Sequence, residues 1–196
     1  MFKKPHDTYH NLDFESALKT LREGGTILYP TDTIWGIGCD ACQANAVQKV
    51  YAIKARDPRK SMLVLVDSPG MLSRYVREIP DMAYQMIDIA DKPITIIYPD
   101  AIGLPENLIA ADGSIAIRVV QDEFCRKLIQ FLRKPIVSTS ANFSGKPAPA
   151  SFAEIDENIK MKVDYIVKFR QEEKRKFSPS PIIRMALNGE IKVIRS

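Results

Sequence analysis

The segment KARDPRK concentrates positive charge, with Lys54, Arg56, Arg59 and Lys60 placed around a single acid, Asp57. Guanidinium forks and ammonium groups neutralise phosphate oxygens, so this spacing indicates a site for a polyphosphate. The alternative is a helix C-terminus whose cations complement the helix dipole and then continue into a solvated face. For the segment alone the alternative is favoured, so the decision depends on what lies near it.

A second group of polar side chains follows a short apolar stretch that stops at Pro30. Thr31, Asp32 and Thr33 come directly after Thr26–Tyr29, which is β-branched and apolar enough to be a buried strand. In an open α/β sheet, ligand groups gather where strands end. The same residues could form an ordinary hydrogen-bonded turn. Beside these oxygen-bearing side chains, the cations of KARDPRK favour the polyphosphate site.

Lys54 also belongs to a predicted helix, Ala46–Ala55. It shares one face of that helix with Val47, Val50 and Tyr51, so it continues a buried stripe. An ammonium that is buried without a partner is costly. Lys54 must therefore find an anion or reach water.

A single arginine, Arg118, interrupts the otherwise apolar strand predicted over Ser114–Val119. A lone arginine in a strand usually pairs with a surface acid. Near the carboxyl end of a central strand it could instead bind a substrate carboxylate through two parallel hydrogen bonds. Both interpretations of Arg118 stay open.

The segment STSANFSGKPAPA follows another short strand, Pro135–Val137. It offers hydroxyl and amide groups at a strand end, close to Gly145. These groups belong to Ser138, Thr139, Ser140, Asn142 and Ser144. A flexible Ser/Gly/Pro linker is the alternative. Phe143 and the adjoining strand favour an anchored loop.

Strands and helices alternate along the chain in the α/β manner. The remaining predicted strands are Met62–Val66, Ile94–Tyr98, Asp164–Phe169, Ile182–Met185 and Glu190–Ile194, and Cys39 ends a further apolar strand. The predicted helices are Ala46–Ala55 with Asn45 as N-cap, Pro69–Val76, Pro80–Ala90, Asp122–Arg133 and Phe152–Asn158. Residues 1–11 are predicted to be an N-terminal tail. The run Lys174–Lys176 belongs to a polar loop that could close over a cleft and bring Ser180 to the ligand.

The length of 196 residues suits one domain over 1–196. The formal charge of +4, from 28 Lys plus Arg and 24 Asp plus Glu, is compatible with anionic ligands but does not establish a nucleic-acid surface. The sequence contains no apolar run of membrane-spanning length and no signal core. We therefore expect a cytoplasmic protein that contacts no membrane.

The cysteines indicate reduced thiols, because the chain holds three of them and lacks an export signal. Cys39 and Cys42 form a single C-x-x-C pair. The only histidines, His6 and His10, lie in the predicted tail, so a zinc site lacks ligands. We expect no resident metal, and we interpret Cys39 as a small core residue.

Four motifs occur in order, namely YPTDTIWGIGCDA, KARDPRKSM, SIAIRV and STSANFSGKPAP. Together they resemble the YrdC-like family of threonylcarbamoyl-AMP synthases, in its single-domain form. The resemblance extends from about residue 21 to residue 196. It implies a three-layer α/β domain with a twisted mixed sheet and a positively lined concave cleft.

The activity implied by this resemblance joins L-threonine, bicarbonate or carbon dioxide, and ATP into threonylcarbamoyl-adenylate and releases pyrophosphate. ATP is a substrate, and magnesium is carried mainly by its phosphates. The product feeds tRNA modification, so downstream threonylcarbamoyl transferase proteins are the implied partners, with tRNA or double-stranded RNA as further candidates.

The resemblance also implies roles for individual residues, with Ser180 and Arg195 matching the C-terminal serine and arginine that complete the site in the family. Nucleotide contacts fall on Lys54, Arg56, Lys60, Ser140, Asn142 and Arg195, of which Lys54 and Arg56 are also the catalytic pair. Threonine contacts fall on Thr33, Arg118, Ser138 and Ser180.

The chain also departs from the family pattern. Asp57 and Ser61 replace common prolines, and Leu65 stands where some members carry a histidine. Pro181 and Arg184 replace the usual residues after the C-terminal serine. These departures keep open a divergent relative that acts on another carbamoyl or adenylate substrate.

Elementary chemistry agrees with a synthase that forms no covalent intermediate. The sequence contains no G-x-S-x-G, no Walker A motif and no histidine outside the predicted tail. What remains is positioning and neutralisation of phosphate charge. A non-catalytic cleft that binds structured RNA is the alternative from another class, although aromatic residues are not interleaved with the cations.

Overall fold

The structure, a computed structural model, describes residues 5–173 and 178–196, and the account of side chains begins at residue 12. The predicted cationic run Lys174–Lys176 therefore lies outside the described residues, as does the central part of the predicted closing loop that contains it. The fold below concerns the remainder of the chain.

A mixed β-sheet forms the centre of the described structure. Its strands are β1 Thr26–Tyr29, β2 Gly36–Cys39, β3 Leu63–Val66, β4 Thr95–Tyr98, β5 Ile115–Val119, β6 Ile136–Ser140, β7 Tyr165–Ile166, β8 Ile182–Met185 and β9 Ile191–Arg195. They lie side by side in the order β7-β1-β2-β6-β3-β5-β4-β8-β9. The β1–β7, β3–β5 and β4–β8 pairs are parallel, and the other neighbours are antiparallel. The predicted α/β fold with a mixed sheet is confirmed.

Helices cover this sheet. They are α1 Pro5–Arg22, α2 Ala44–Lys54, α3 Asp81–Ile89, α4 Glu123–Leu132 and α5 Glu157–Lys160, with 3-10 turns at Pro69–Arg74 and Phe152–Glu154. Helices α1 and α4 pack against each other, and α1 also packs against β1 and α4 against β3. Helix α2 packs over β1 and β2. The apolar stripe of α4, with Leu128, Ile129 and Leu132, is buried in the core as its spacing predicts.

Several predicted boundaries differ from the structure. Asn45 is not the N-cap of α2, because the first helical hydrogen bond runs from Val47 N to Gln43 O and places Asn45 inside the helix. The helix predicted over Phe152–Asn158 divides into a 3-10 turn and α5, since Asp156 accepts from Asn158 N and starts a new helix. Helix α1 begins at Pro5, within the predicted tail.

Strand β6 is longer than predicted. We expected it to end at Val137, but Thr139 pairs with Ile37 and Ser140 with Gly36 in an antiparallel ladder. The hydroxyl residues of the STS segment are therefore part of the sheet. Their direction is set by the pleat, so they are not the loop that their composition suggests.

Gly38 allows β2 to lie this close to β6. A side chain at that position would place its Cβ 2.5 Å from the carbonyl oxygen of Val137 and 2.7 Å from the ring of Tyr29. Any residue larger than glycine would push the two strands apart. The close approach holds Ser138 beside Gly36, the first residue of β2, where a cleft opens.

Candidate active site

A cleft of about 370 Å³ opens where β2, β3, β5 and β6 meet the segment before β8. Eight of the ten residues predicted for the site line it, namely Thr33, Arg56, Arg118, Ser138, Ser140, Asn142, Ser180 and Arg195. The two others, Lys54 and Lys60, do not line it. Residues from distant parts of the sequence therefore converge on one cleft.

Arg118 lines this cleft and is only 3% exposed. Its Nη1 donates to Thr33 Oγ1 at 3.1 Å and to Ser180 Oγ at 3.3 Å. Its Nη2 lies 3.0 Å from Oδ1 of Asp32. Arg118 thus pairs with an acid and also lines the cleft, and its binding of a substrate carboxylate stays a prediction. That acid is buried rather than on the surface.

Asp32 was predicted to lie among the polar groups after β1, but it was given no role of its own in the site. Its side chain is 7% exposed, and its Oδ2 accepts from the backbone N–H of Gln121, just beyond the end of β5. Asp32 therefore connects the loop after β1 to the strand that carries Arg118. Its place in the PTDT motif was the signal that could have identified it.

Ser180 is held from two sides. Its hydroxyl lies 2.8 Å from that of Thr95 on β4, and its carbonyl accepts from Arg195 Nε at 3.1 Å and Nη2 at 2.6 Å. Burial, together with the charge of Arg118, lowers the pKa of Arg195. Thr95 was not assigned to the site from the sequence, and its hydroxyl is the polar side chain that opens the apolar run TIIY.

Lys54 is buried behind the cleft, 1% exposed. Its Nζ donates to the carbonyl of Ser140 and, at 2.6 Å, to that of Asn142. Burial lowers its pKa to about 7, with a further contribution from the charge of Arg56. We expected an anion or water as its partner, and the structure supplies backbone carbonyls of the SAN segment instead.

Arg56 is the member of the cationic segment that faces the cleft. Ala55, in the left-handed conformation with φ of 47°, ends α2 and changes the direction of the chain just before Arg56. Arg56 Nε donates to Lys60 O at 2.8 Å, and Nη2 donates to Ser61 O at 2.9 Å. Arg59 instead pairs with Asp57 at 2.8 Å and is exposed. Lys60 is also exposed.

The turn after β6 presents Asn142 and Lys146 to the cleft. Asn142 Nδ2 donates to Lys146 O at 2.6 Å and to Phe143 O at 3.0 Å, whereas its buried Oδ1 has no partner among the residues described. Lys146 is a cation that we did not assign, although it lies in the SGKPAP motif. With Arg56, Arg118 and Arg195 it makes the lining positive, and no Asp or Glu of the described chain lines the cleft.

Other features of the sequence have structural explanations. Cys39 is buried, which raises the pKa of its thiol, and Cys42 Sγ lies 3.9 Å from Tyr75 Oη. Within residues 5–173 and 178–196, no three His, Cys, Asp or Glu side chains gather as they would around a metal ion. The helices described there include none that is both long and apolar enough to cross a membrane.

Comparison with known proteins assigns the chain to a protein family. The sequence profile of the Sua5/YciO/YrdC family, whose description is telomere recombination, matches residues 19–196. The chain belongs to this family. A relative named threonylcarbamoyl-AMP synthase, from Pseudoalteromonas translucida, is 33% identical over 90% of this chain and 94% of its own length. A putative threonylcarbamoyl-AMP synthase from Methanocaldococcus jannaschii is 35% identical over 87% of this chain and 79% of its own length.

Solved structures of the Sua5/YciO/YrdC family share the fold. Sua5 of P. abyssi, in complex with L-threonine, superposes with a TM-score of 0.78 and 26% identity over 88% of this chain. This chain spans 50% of that longer protein. YciO of E. coli superposes with a TM-score of 0.81 over 95% of this chain and 89% of its own, at 22% identity, which establishes the fold alone.

Proposed function

We propose that this protein is an L-threonylcarbamoyladenylate synthase, which joins L-threonine, bicarbonate or carbon dioxide, and ATP into threonylcarbamoyl-AMP and releases pyrophosphate. One observation carries the proposal: a buried guanidinium suited to a carboxylate and a second set of cations suited to phosphates line the same cleft. The names of the relatives point to the same reaction.

The amino-acid half of the proposed site is built around Arg118. Its guanidinium is fixed by Asp32, Thr33 and Ser180, so its position is set before a ligand arrives. A carboxylate is the natural anionic partner of such a fork. Ser138 adds a hydroxyl from β6, and it completes the set with Thr33, Arg118 and Ser180. The L-threonine bound to P. abyssi Sua5 supports an amino acid as the ligand here.

The nucleotide half lies toward Arg56 and the SAN segment. Arg56, Ser140, Asn142 and Arg195 line this part of the cleft, and Lys146 adds a further cation. Lys54 serves as the residue that holds Ser140 and Asn142 through their carbonyls. Lys60 lies outside the cleft wall, and its long side chain contacts the outer phosphates.

The chemistry rests on positioning and on charge. The amine of L-threonine combines with carbon dioxide, with loss of a proton, or with bicarbonate, with loss of water, to give a carbamate. A carbamate oxygen attacks the α-phosphorus in line and pyrophosphate leaves, while Arg56 neutralises the charge that develops on the phosphate oxygens. Magnesium is carried by the phosphates, because it keeps several waters and needs few protein ligands. The product is a reactive acyl adenylate, so a threonylcarbamoyl transferase that modifies tRNA must consume it.

The proposal is tested by incubating the protein with ATP, magnesium, bicarbonate and L-threonine, and by detecting pyrophosphate and the adenylate by mass spectrometry. Each component is left out in turn, and every other amino acid is tried in place of threonine. Product that requires all components supports the synthase. Equal turnover of other amino acids identifies a divergent relative. Absence of any adenylate, together with salt-dependent RNA binding, identifies a nucleic-acid cleft instead.

A further inference from the structure

The hydroxyl groups of Thr31 and Thr33 belong to a connected set of hydrogen bonds in which each contact has one donor that fits. Both side chains are nearly buried, at 2% and 6% exposure. Thr31 Oγ1 lies 2.8 Å from the carbonyl oxygen of Ile34. A carbonyl oxygen only accepts, so the single hydroxyl proton of Thr31 is used there.

The oxygen of Thr31 then has only its lone pairs left. One accepts from the backbone N–H of Thr33 at 3.1 Å. The other faces the hydroxyl of Thr33, also at 3.1 Å. Because the proton of Thr31 is already given to Ile34, Thr33 must be the donor in this contact.

The hydroxyl of Thr33 is constrained from its other side as well. Arg118 Nη1 donates to Thr33 Oγ1 at 3.1 Å, and a guanidinium never accepts. Thr33 has therefore given its proton to Thr31 and one lone pair to Arg118. A single lone pair remains, on a residue that lines the cleft.

We infer that Thr33 presents only a hydrogen-bond acceptor to the ligand, and that Thr31, which touches no ligand, is the positioning residue that fixes this polarity. The ligand group at Thr33 is accordingly a donor, an O–H or N–H, and never a carboxylate, carbonyl or phosphate oxygen. If the proposed function holds, this group is the side-chain hydroxyl of threonine or the N–H of its amine or carbamate.

Ser180 differs from Thr33 in its hydrogen-bond partners. Ser180 also accepts from Arg118, but its contact with Thr95 joins two hydroxyls, either of which can be the donor. Ser180 can therefore adapt to a donor or an acceptor, whereas Thr33 cannot. The polarity at Thr33 orients the amino acid, because a carboxylate placed there would face a lone pair.

The inference is tested first without any ligand. Neutron diffraction of the deuterated protein locates the hydroxyl deuteron of Thr33, which we expect between Thr33 Oγ1 and Thr31 Oγ1. A deuteron that points into the cleft would overturn the inference. This result does not depend on whether the protein is a synthase.

Calorimetry then identifies the donor. L-Threonine is compared with L-2-aminobutyrate, which lacks the hydroxyl, and with its O-methyl ether, which keeps the oxygen but lacks the O–H. If both analogues bind roughly twofold to tenfold more weakly, as the loss of one neutral hydrogen bond predicts, the donor is the hydroxyl. If both bind as L-threonine does, the donor is the N–H. An ether that binds normally while 2-aminobutyrate binds weakly would contradict the inference, since the oxygen would then be accepting. Failure of L-threonine to bind at all would refute the proposed function and leave the neutron result to decide the polarity.

Thr31→Val tests the positioning role. The variant frees the hydroxyl of Thr33 to rotate, so we expect the affinity ratio between L-threonine and its O-methyl ether to move toward one, with the KM for L-threonine raised and kcat changed less. Thr31→Ser should restore the ratio. Thr20→Val removes a hydroxyl that is bonded to Ser16 O in α1, away from the cleft, and is the matched control. If the donor is the hydroxyl, a ratio unchanged in folded Thr31→Val would refute the role of Thr31. If the donor is the N–H, the ratio is already close to one, and a hydroxyl deuteron of Thr33 that keeps its direction in Thr31→Val would refute it.

Discussion

Arg118 and Asp32 form an ion pair, with Nη2 3.0 Å from Oδ1, although both side chains are almost excluded from solvent. Asp32 is held in turn by the backbone N–H of Gln121. The guanidinium is therefore oriented before a ligand binds. Asp32 also partly neutralises the charge of Arg118, so an incoming carboxylate meets a weaker cation than a free guanidinium.

Replacement of Asp32 by Asn should separate these effects. Asp32→Asn keeps an acceptor for Gln121 but leaves Arg118 without its counter-charge, and breaking a buried pair costs about 3–5 kcal/mol. We expect a lower melting temperature, and a larger rise in that temperature on addition of L-threonine than in the wild type, because the ligand carboxylate replaces the lost charge. Asp40→Asn, which breaks the pair with Lys134, is the control and should lower stability alone. Equal ligand-induced shifts in all three proteins would contradict this account.

Arg56 should matter for the rate and little for stability. If it neutralises the triphosphate, Arg56→Ala should cost about 2–4 kcal/mol of transition-state stabilisation, measured as kcat/KM for ATP. Lys60→Ala tests the contact with the outer phosphates, and we expect a smaller loss because this side chain lies outside the cleft wall. Arg118→Ala should instead raise the KM for L-threonine and leave that for ATP nearly unchanged. A common loss of RNA affinity in all three variants, with normal adenylate synthesis, would favour the nucleic-acid alternative.

The pH dependence of stability should report the burial of Lys54. Its pKa is about 7 in the folded protein and about 10.4 in an unfolded chain, so between these values the unfolded state binds more protons. The free energy of unfolding due to this group therefore rises with pH from about 7 to about 10, by at most about 1.4 kcal/mol per pH unit, and the penalty is fully present below pH 7. Urea unfolding of wild type and Lys54→Met between pH 6 and 9 should show this difference. Lys49→Met, an exposed position on the same helix, should show none, and a flat difference for Lys54→Met as well would disprove the explanation.

Cys39 and Cys42 should be dispensable for catalysis. Cys39 is fully buried, so Ala is a better replacement than Ser, whose hydroxyl would lack a partner. We expect Cys39→Ala/Cys42→Ala to be less stable but as active as the wild type when assayed well below its melting temperature. Stoichiometric zinc in the native protein, or lost activity with an unchanged melting curve, would show that the pair has a chemical role.

The sequence was a good guide where local pattern sets structure. The strands over residues 26–29 and 182–185 have the predicted bounds, and α4, predicted over Asp122–Arg133, spans Glu123–Leu132 with Asp122 as its N-cap. These elements have clear apolar periods and clear ends. The family was predicted from four motifs, each of which is also a short continuous stretch of sequence.

Predictions failed where the deciding contact is distant in sequence. Ser138–Ser140 extends β6 because Leu63 of β3 pairs with Ser138, and residues of β2, about a hundred positions earlier, pair with Thr139 and Ser140. Lys54 bonds to carbonyls that lie 86 and 88 positions further along the chain. Asp32 was visible in its motif, but only the approach of β5 identifies it as the partner of Arg118. No local pattern contains these pairings, since they follow from strand order.

Distance along the chain also determines when the cleft forms during folding. The contacts of Thr33 with Arg118 and of Thr95 with Ser180 each span 85 residues. Closing such long segments costs entropy before the contacts compensate for it, and long-range pairing slows folding. Helices such as α4 can form early during refolding, whereas the cleft is complete only after the hairpin of β8 and β9 has added Ser180 and Arg195. Ligand affinity should thus return later than helical circular dichroism in a refolding experiment.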